Sequence, residues 1–191
     1  MWKLDASERI ARWRDFRNSI ENLPLDEALY QTMQFWNSAP FTPYYLDPLS
    51  LENWPDPWTL IYENYYCDVA KVLGIVYTIV LTEHKKNLDI EIRVYKDPNT
   101  RHEYNLAWIN QGKYIVNLID NEIVNNTQFD KNLKLVKSYT ATELQIEKYN
   151  NYHDAGYMFS HLGDNTNAYK HIKKALELAL KFDLPNFNYT H

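Results

Sequence analysis

The sequence predicts an α+β fold, because the periodicity of its apolar residues changes twice along the chain. In the first third they recur at intervals of three and four residues, which is typical of helices, and near residue 90 at intervals of two, which is typical of strands. A helical pattern returns over residues 147–191. We therefore expect N-terminal helices, a central helix packed on an antiparallel sheet of about four strands, and a C-terminal helical hairpin.

The first two helices are predicted over residues 5–22 and 26–37. Each range carries an apolar stripe at helical spacing, and Pro24 separates the two. A proline-rich segment with exposed character, "SAPFTPYYLDPLS", follows and is expected to be an extended loop.

The third helix has a well-marked start at Asp56 and Pro57. Aspartate is a favoured N-cap residue, and proline suits the first helical position. Helical spacing continues to Gly74, a residue type that commonly ends helices. A single helix over 57–73 is therefore predicted.

After Gly74 the sequence is typical of an antiparallel meander. "GIVYTIVLTE" is rich in β-branched residues, "LDIEIRVYK" alternates apolar and polar side chains, and "NQG" is a hairpin signal. The predicted strands cover 74–82, 88–96, 102–109 and 113–119. Residues 119–146, which complete a first domain of residues 1–146, are predicted to be an irregular excursion with a short strand at "LKLVKSY".

The segment 147–191 resembles a single tetratricopeptide-type unit. Small and aromatic residues support the resemblance: Ala155, Gly156, Phe159, Ala168 and Ala175. No second copy follows, and such units need neighbours to bury one face. We expect the hairpin to dock on the first domain or on a partner; the alternative is a generic helical hairpin that packs on the core.

Composition excludes several classes of function. The net charge of −5 is unlike that of a DNA-binding domain, and the four glycines form no nucleotide-binding loop. A single cysteine excludes an internal disulfide framework, and neither a signal peptide nor a membrane span is recognisable. These features favour a cytoplasmic protein, or a virion protein if the gene is carried by a phage, with no cofactor, no nucleic-acid partner and no membrane partner.

One segment resembles the transglutaminase-like branch of the papain-like superfamily. The resemblance rests on "AKVLGIVYTIVL", "HEYNLAWI" and "GKYIVNLID", within residues 54–120. It implies a cysteine at the start of the helix, a histidine at the start of a following strand and an Asp or Asn near the end of the next strand. Cys67, His102 and Asn117 would then be nucleophile, base and orienting residue, with Asp120 as the alternative to Asn117.

The predicted helix conflicts with this assignment at the nucleophile. If the helix starts at Pro57, Cys67 lies about ten residues along it, roughly 15 Å from the N-terminus where a thiolate would be stabilised. Thr59 is closer to that end, but threonine nucleophiles usually act as chain N-termini. Within the helix, Cys67 would be a small apolar residue, and His102 an exposed residue at a strand edge.

The remaining histidines predict no metal site. His153, His161 and His171 lie in the terminal hairpin, and nothing in their spacing with Asp154 or Asp164 indicates convergence on one ion.

The functional prediction from sequence is a non-catalytic protein-interaction or structural-assembly protein. Aromatic residues are dense between Trp36 and Tyr66, which predicts core packing, an exposed protein-binding patch, or both. Abundant residues with A/T-rich codons point to a phage or a small bacterial genome. The alternative is a transglutaminase-like cysteine hydrolase or peptidase that uses Cys67, His102 and Asn117.

Overall fold

A computed structural model describes residues 1–119 and 121–144 of the chain. In these ranges the chain forms four α-helices, two short 3-10 turns and one sheet. The helices are α1 (Ala6–Ile20), α2 (Leu25–Asn37), α3 (Pro57–Glu63) and α4 (Asp68–Val80), and the 3-10 turns cover Leu51–Asn53 and Glu83–Asn87.

The first two helices confirm the sequence prediction within a few residues. Asp5 caps α1, because its carboxylate accepts a hydrogen bond from the backbone N–H of Glu8. Pro24 occupies the N-cap position of α2, where its missing N–H costs nothing. The buried stripes of the two helices meet α3 and α4.

The prediction of one helix over 57–73 is wrong, because the chain breaks between Glu63 and Asp68. Asp56 does start a helix, and its carboxylate accepts two backbone N–H groups. Asn64 then adopts a left-handed conformation with φ of 60°, which ends α3. Tyr66 is extended and pairs with the preceding loop at Phe41. This long-range pairing is invisible to a local helical pattern.

The predicted strand over 74–82 is also wrong, because these residues continue α4. Every residue from Val72 to Val80 is buried. A helix that is buried all round has no polar face, so its sequence cannot be told from a buried strand by periodicity. Gly74 does not end the helix: a Cβ atom there would lie 2.4 Å from the Trp36 ring, so the glycine allows α2 and α4 to approach closely.

The sheet contains five antiparallel strands and confirms the α+β class. The strand order is β4-β3-β2-β1-β5. The predicted strands at 88–96, 102–109 and 113–119 are present, β5 corresponds to the short strand expected at "LKLVKSY", and β4 was not predicted. The strands are β1 (Ile90–Lys96), β2 (Glu103–Ile109), β3 (Tyr114–Ile119), β4 (Glu122–Val124) and β5 (Lys134–Thr140).

The two faces of the sheet are packed differently. Ile92, Ala107 and Val116 belong to the main core, which the sheet shares with the four helices. Leu106 and Trp108 point to the opposite face and form a second, smaller apolar cluster with residues of the loop between β4 and β5. Residues of β2 therefore alternate between the helix side and the outer side of the sheet.

The predicted hairpin at 147–191 lies outside the described residues, as does Asp120. Within the described part, none of the helices combines the length and the apolar character needed to cross a bilayer.

Candidate functional site

Cys67 is the N-cap residue of α4. Its backbone is extended, with φ of −80° and ψ of −179°, and its carbonyl oxygen accepts the N–H of Lys71 over 2.9 Å. The side chain is only 5% exposed. The first turn of an α-helix has N–H groups without intrahelical partners and a partial positive charge, and Cys67 directly precedes this turn of α4. The thiol is therefore where the family resemblance requires a nucleophile.

The N-terminal turn of α4 lies at the end of the sheet where β2 begins and β3 ends. Lys71 lines a cleft together with Asn121, which follows β3, and Asn121 accepts a hydrogen bond from the Asn37 amide over 3.2 Å. Because β2 and β3 are antiparallel, the beginning of β2 lies at this same end. The first turn of α4, the beginning of β2 and the end of β3 therefore lie at the same end of the sheet.

The His102 side chain does not meet Cys67. His102 is exposed and directly precedes β2, and its ring lies 4.5 Å from the Tyr104 ring. Tyr104 packs on the outer apolar cluster, on the sheet face opposite α4. Within 1–119 and 121–144, no hydrogen bond joins the Cys67 thiol to the His102 imidazole. The candidate base is at the expected place in the chain, but its ring is turned to the other side of the sheet.

Asn117 occupies an irregular position in β3. Its φ is 75°, and the register between β3 and β4 shifts between Val116 and Ile119. The Asn117 amide nitrogen donates to the backbone carbonyl of Asn105 over 2.9 Å. The side chain therefore links β3 to β2 and has no contact with His102 among the described residues.

Asn105 is a buried polar residue on the helix side of the sheet that the sequence analysis did not single out. It lies on β2 at 5% exposure, in register with the helix-facing residues Ala107 and Ile109. Its Oδ1 atom is buried and has no hydrogen-bond partner within the described ranges. The signal was available in "HEYNLAWI", where a polar residue takes a helix-facing position in an otherwise apolar alternation.

A polar cleft opens beside the first turn of α4. It has a volume of about 370 Å³ and is lined by Gln34, Asn37, Ser38, Lys71 and Asn121. The Lys71 ammonium lies 5.8 Å from the centre of the Phe41 ring. The cleft therefore joins α2, α4 and the turn after β3, one helical turn from Cys67.

The other sequence candidates have simpler roles. The Thr59 hydroxyl donates to the Asp56 carboxylate over 2.6 Å and so belongs to the cap of α3. Across the described ranges, no group of three His, Cys, Asp or Glu side chains could hold a metal ion. His153, His161 and His171 lie outside those ranges.

The aromatic-rich segment contributes to both core and surface. Trp36 and Tyr66 are fully buried, whereas Phe41 is 57% exposed, Tyr44 is 99% exposed and Tyr65 is 52% exposed. Burial raises the pKa of the Tyr66 hydroxyl well above its usual range, an effect that the nearby Arg9 charge opposes. The exposed residues lie in or next to the two segments that pair at Phe41 and Tyr66, and Tyr66 directly precedes Cys67.

Comparison with known proteins supports the fold and gives no family assignment. No protein-family model matches the chain, and no curated protein matches its sequence. Solved structures of Legionella pneumophila LapG are similar, including EGTA-treated and calcium-bound forms, with a TM-score of 0.57 and 16% identity. The likeness covers 73% of this chain and 76% to 78% of LapG. The likeness is one of fold alone: the chain shares the α+β scaffold of LapG, whose fold is transglutaminase-like.

Proposed function

We propose that the chain is a transglutaminase-like cysteine hydrolase, with Cys67 as nucleophile and His102 as general base. The observation that carries the proposal is the position of Cys67 at the N-terminus of α4. The proposal is supported because Cys67 directly precedes α4 and does not lie inside the one long helix that the sequence had predicted. Asn117 or Asp120 would orient the imidazole. The Asn117 side-chain amide already donates to the backbone carbonyl of Asn105, which favours Asp120 for this role.

The chemistry follows from these roles. The His102 imidazole accepts the thiol proton, and the Cys67 thiolate attacks a carbonyl carbon to form a tetrahedral intermediate. Backbone N–H groups at the start of α4 would stabilise the negative oxygen. The imidazolium then protonates the leaving group, and water hydrolyses the resulting thioester with His102 again as base.

The proposal requires one movement. The His102 ring must leave Tyr104 and turn toward Cys67. His102 is exposed and lies outside β2, so a change of rotamer breaks no backbone pairing of the strand. Hydrogen bonds between catalytic groups are often formed only when substrate is bound.

Alkylation kinetics test the proposal. We expect iodoacetamide to label Cys67 at pH 6 at least about tenfold faster than it labels free cysteine, because an ion pair with His102 maintains the thiolate. His102→Ala should abolish most of that advantage. The neighbouring Arg101→Asn is the matched control, since residue 101 has φ of 61° and asparagine tolerates that conformation. Mass spectrometry of intact protein gives the rates.

The second candidate is a non-catalytic binding protein on the same scaffold. It is favoured by Asn105, which takes the helix-facing position on β2, and by the contact of His102 with Tyr104. In this case Cys67 should react at pH 6 no faster than free cysteine, and His102→Ala should change nothing. A virion or bacterial assembly partner, recovered by pull-down from the native host, would support this candidate; recovery of a free monomer alone would count against it.

A further inference from the structure

The cleft beside Cys67 has an unusual charge balance. The whole chain has a net charge of −5, yet the only ionic group among the described cleft-lining residues is the ammonium of Lys71. In the described part of the chain, Lys71 forms no ion pair. Its Nζ atom lies instead over the face of the Phe41 ring. The cleft therefore presents a positive charge that complements an anionic group.

The other cleft residues are suited to a polypeptide. Gln34, Asn37 and Asn121 supply amide groups, and the bond between Asn37 and Asn121 uses one donor of the first and one acceptor of the second. Each amide has further donors and acceptors. Such groups match the alternating N–H and C=O groups of an extended chain.

Exposed and half-buried aromatic residues lie in the two segments that meet at Phe41 and Tyr66, next to the cleft residue Lys71. Phe41 links these residues to the cleft, because it contacts Lys71 and its backbone pairs with Tyr66 beside Cys67. The Tyr45 and Tyr65 rings lie 5.4 Å apart, and Tyr44 projects fully into solvent. Exposed aromatic side chains of this kind are enriched where proteins bind other polypeptides.

We propose that the cleft binds an extended polypeptide through an acidic side chain, which pairs with Lys71, and a neighbouring apolar side chain, which packs on Phe41. The proposal rests on the proposed function, since this polypeptide would be the substrate of Cys67. Lys71 lies one turn beyond Cys67 on α4, so the acidic residue would bind within a few residues of the bond that the thiol attacks.

Peptide display on the inactive full-length Cys67→Ser protein tests this inference without any turnover. The probe is a random library of 12-residue peptides. We expect the selected peptides to be enriched in Asp or Glu next to a bulky apolar residue. Replacing the acidic residue of a selected peptide by its amide should weaken binding about threefold to tenfold, as for a partly exposed charge pair.

Variants that change the charge of Lys71 test whether this lysine causes the acidic preference. Lys71→Gln should remove the acidic preference, and Lys71→Glu should reverse it to Lys or Arg. Lys113→Gln is the matched control, because Lys113 also lies over a ring, that of Tyr114, but lines a neighbouring cleft. Failure to select any peptide, or a preference that Lys71→Glu leaves unchanged, would overturn the inference. Neither result would bear on the catalytic pair, because the alkylation test measures the reactivity of Cys67 without any peptide.

Discussion

The hydroxyl of Thr78 joins two tryptophans in the centre of the helical core. It accepts the indole N–H groups of Trp13 and Trp36, each over 2.9 Å, and donates to the carbonyl of Gly74 over 2.7 Å. One side chain thus satisfies polar groups from α1, α2 and α4 in a region closed to water. The residue pattern predicts that these positions are buried, but it cannot predict which hydroxyl receives which indole.

Two substitutions at Thr78 distinguish the contribution of its hydroxyl group to stability from that of its side-chain packing. Thr78→Val keeps the volume but leaves two buried indole donors without a partner, so we expect it to lower the free energy of unfolding by about 2–4 kcal/mol. Thr78→Ser keeps the hydroxyl and loses one methyl group, which should cost about 1 kcal/mol. Urea unfolding followed by tryptophan fluorescence measures both, and a serine variant as unstable as the valine variant would contradict this account.

At the level of elements, Glu91 ties the edge strand β5 to β1. Its carboxylate accepts from the Arg93 guanidinium over 2.8 Å and from the Ser138 hydroxyl over 2.5 Å. The hydrogen bond from Arg93, aided by Ser138, holds the pKa of the Glu91 carboxyl below its ordinary value of 4.5, although partial burial opposes the shift.

The lowered pKa of Glu91 predicts a pH-dependent contribution to stability. A carboxyl with a depressed folded-state pKa stabilises the fold above its unfolded pKa, and this stabilisation is lost as the pH falls through the folded value. We expect Glu91→Gln to cost about 0.5–1 kcal/mol at pH 7. The difference from wild type should shrink below pH 4.5. Urea unfolding at pH 7 and pH 3 measures it, with Glu122→Gln on β4 as the charge-matched control. A difference that persists undiminished at pH 3 would be inconsistent with the bond to Arg93.

The elements show where sequence reasoning succeeds. Alternation of apolar and polar residues predicted β1, because successive side chains of a strand point to opposite faces of the sheet. The "NQG" hairpin signal joined the strands predicted at β2 and β3, and a short strand was expected where β5 lies. The sequence pattern failed on α4, because the residues from Val72 to Val80 are all buried and lack the polar face that defines a helical period. The sequence pattern also missed the break at Asn64. Next to this break, Tyr66 pairs with Phe41, which lies 25 residues earlier in the chain, and a local pattern does not contain such a contact.

For the molecule as a whole, the candidate site depends on topology more than on any motif. The sequence predicted Cys67, His102 and Asn117 through a family resemblance. In the fold Cys67 precedes α4, His102 precedes β2 and Asn117 lies in β3, and in the described ranges no hydrogen bond joins the three side chains. The sequence could not predict the contact of His102 with Tyr104, because His102 lies just outside β2 and its side chain is not fixed to one face of the sheet by strand alternation. Nor could it predict the cleft at Lys71, whose walls come from three separate parts of the chain.

The central claim is that Cys67 begins a helix and does not lie within one. Backbone ¹³Cα and ¹³Cβ chemical shifts of the labelled full chain in solution test it most directly. We expect helical shifts over 57–63 and 68–80, interrupted by a left-handed Asn64 and an extended Cys67. An unbroken run of helical shifts from Pro57 through Val80 would contradict the claim and return Cys67 to the interior of a helix.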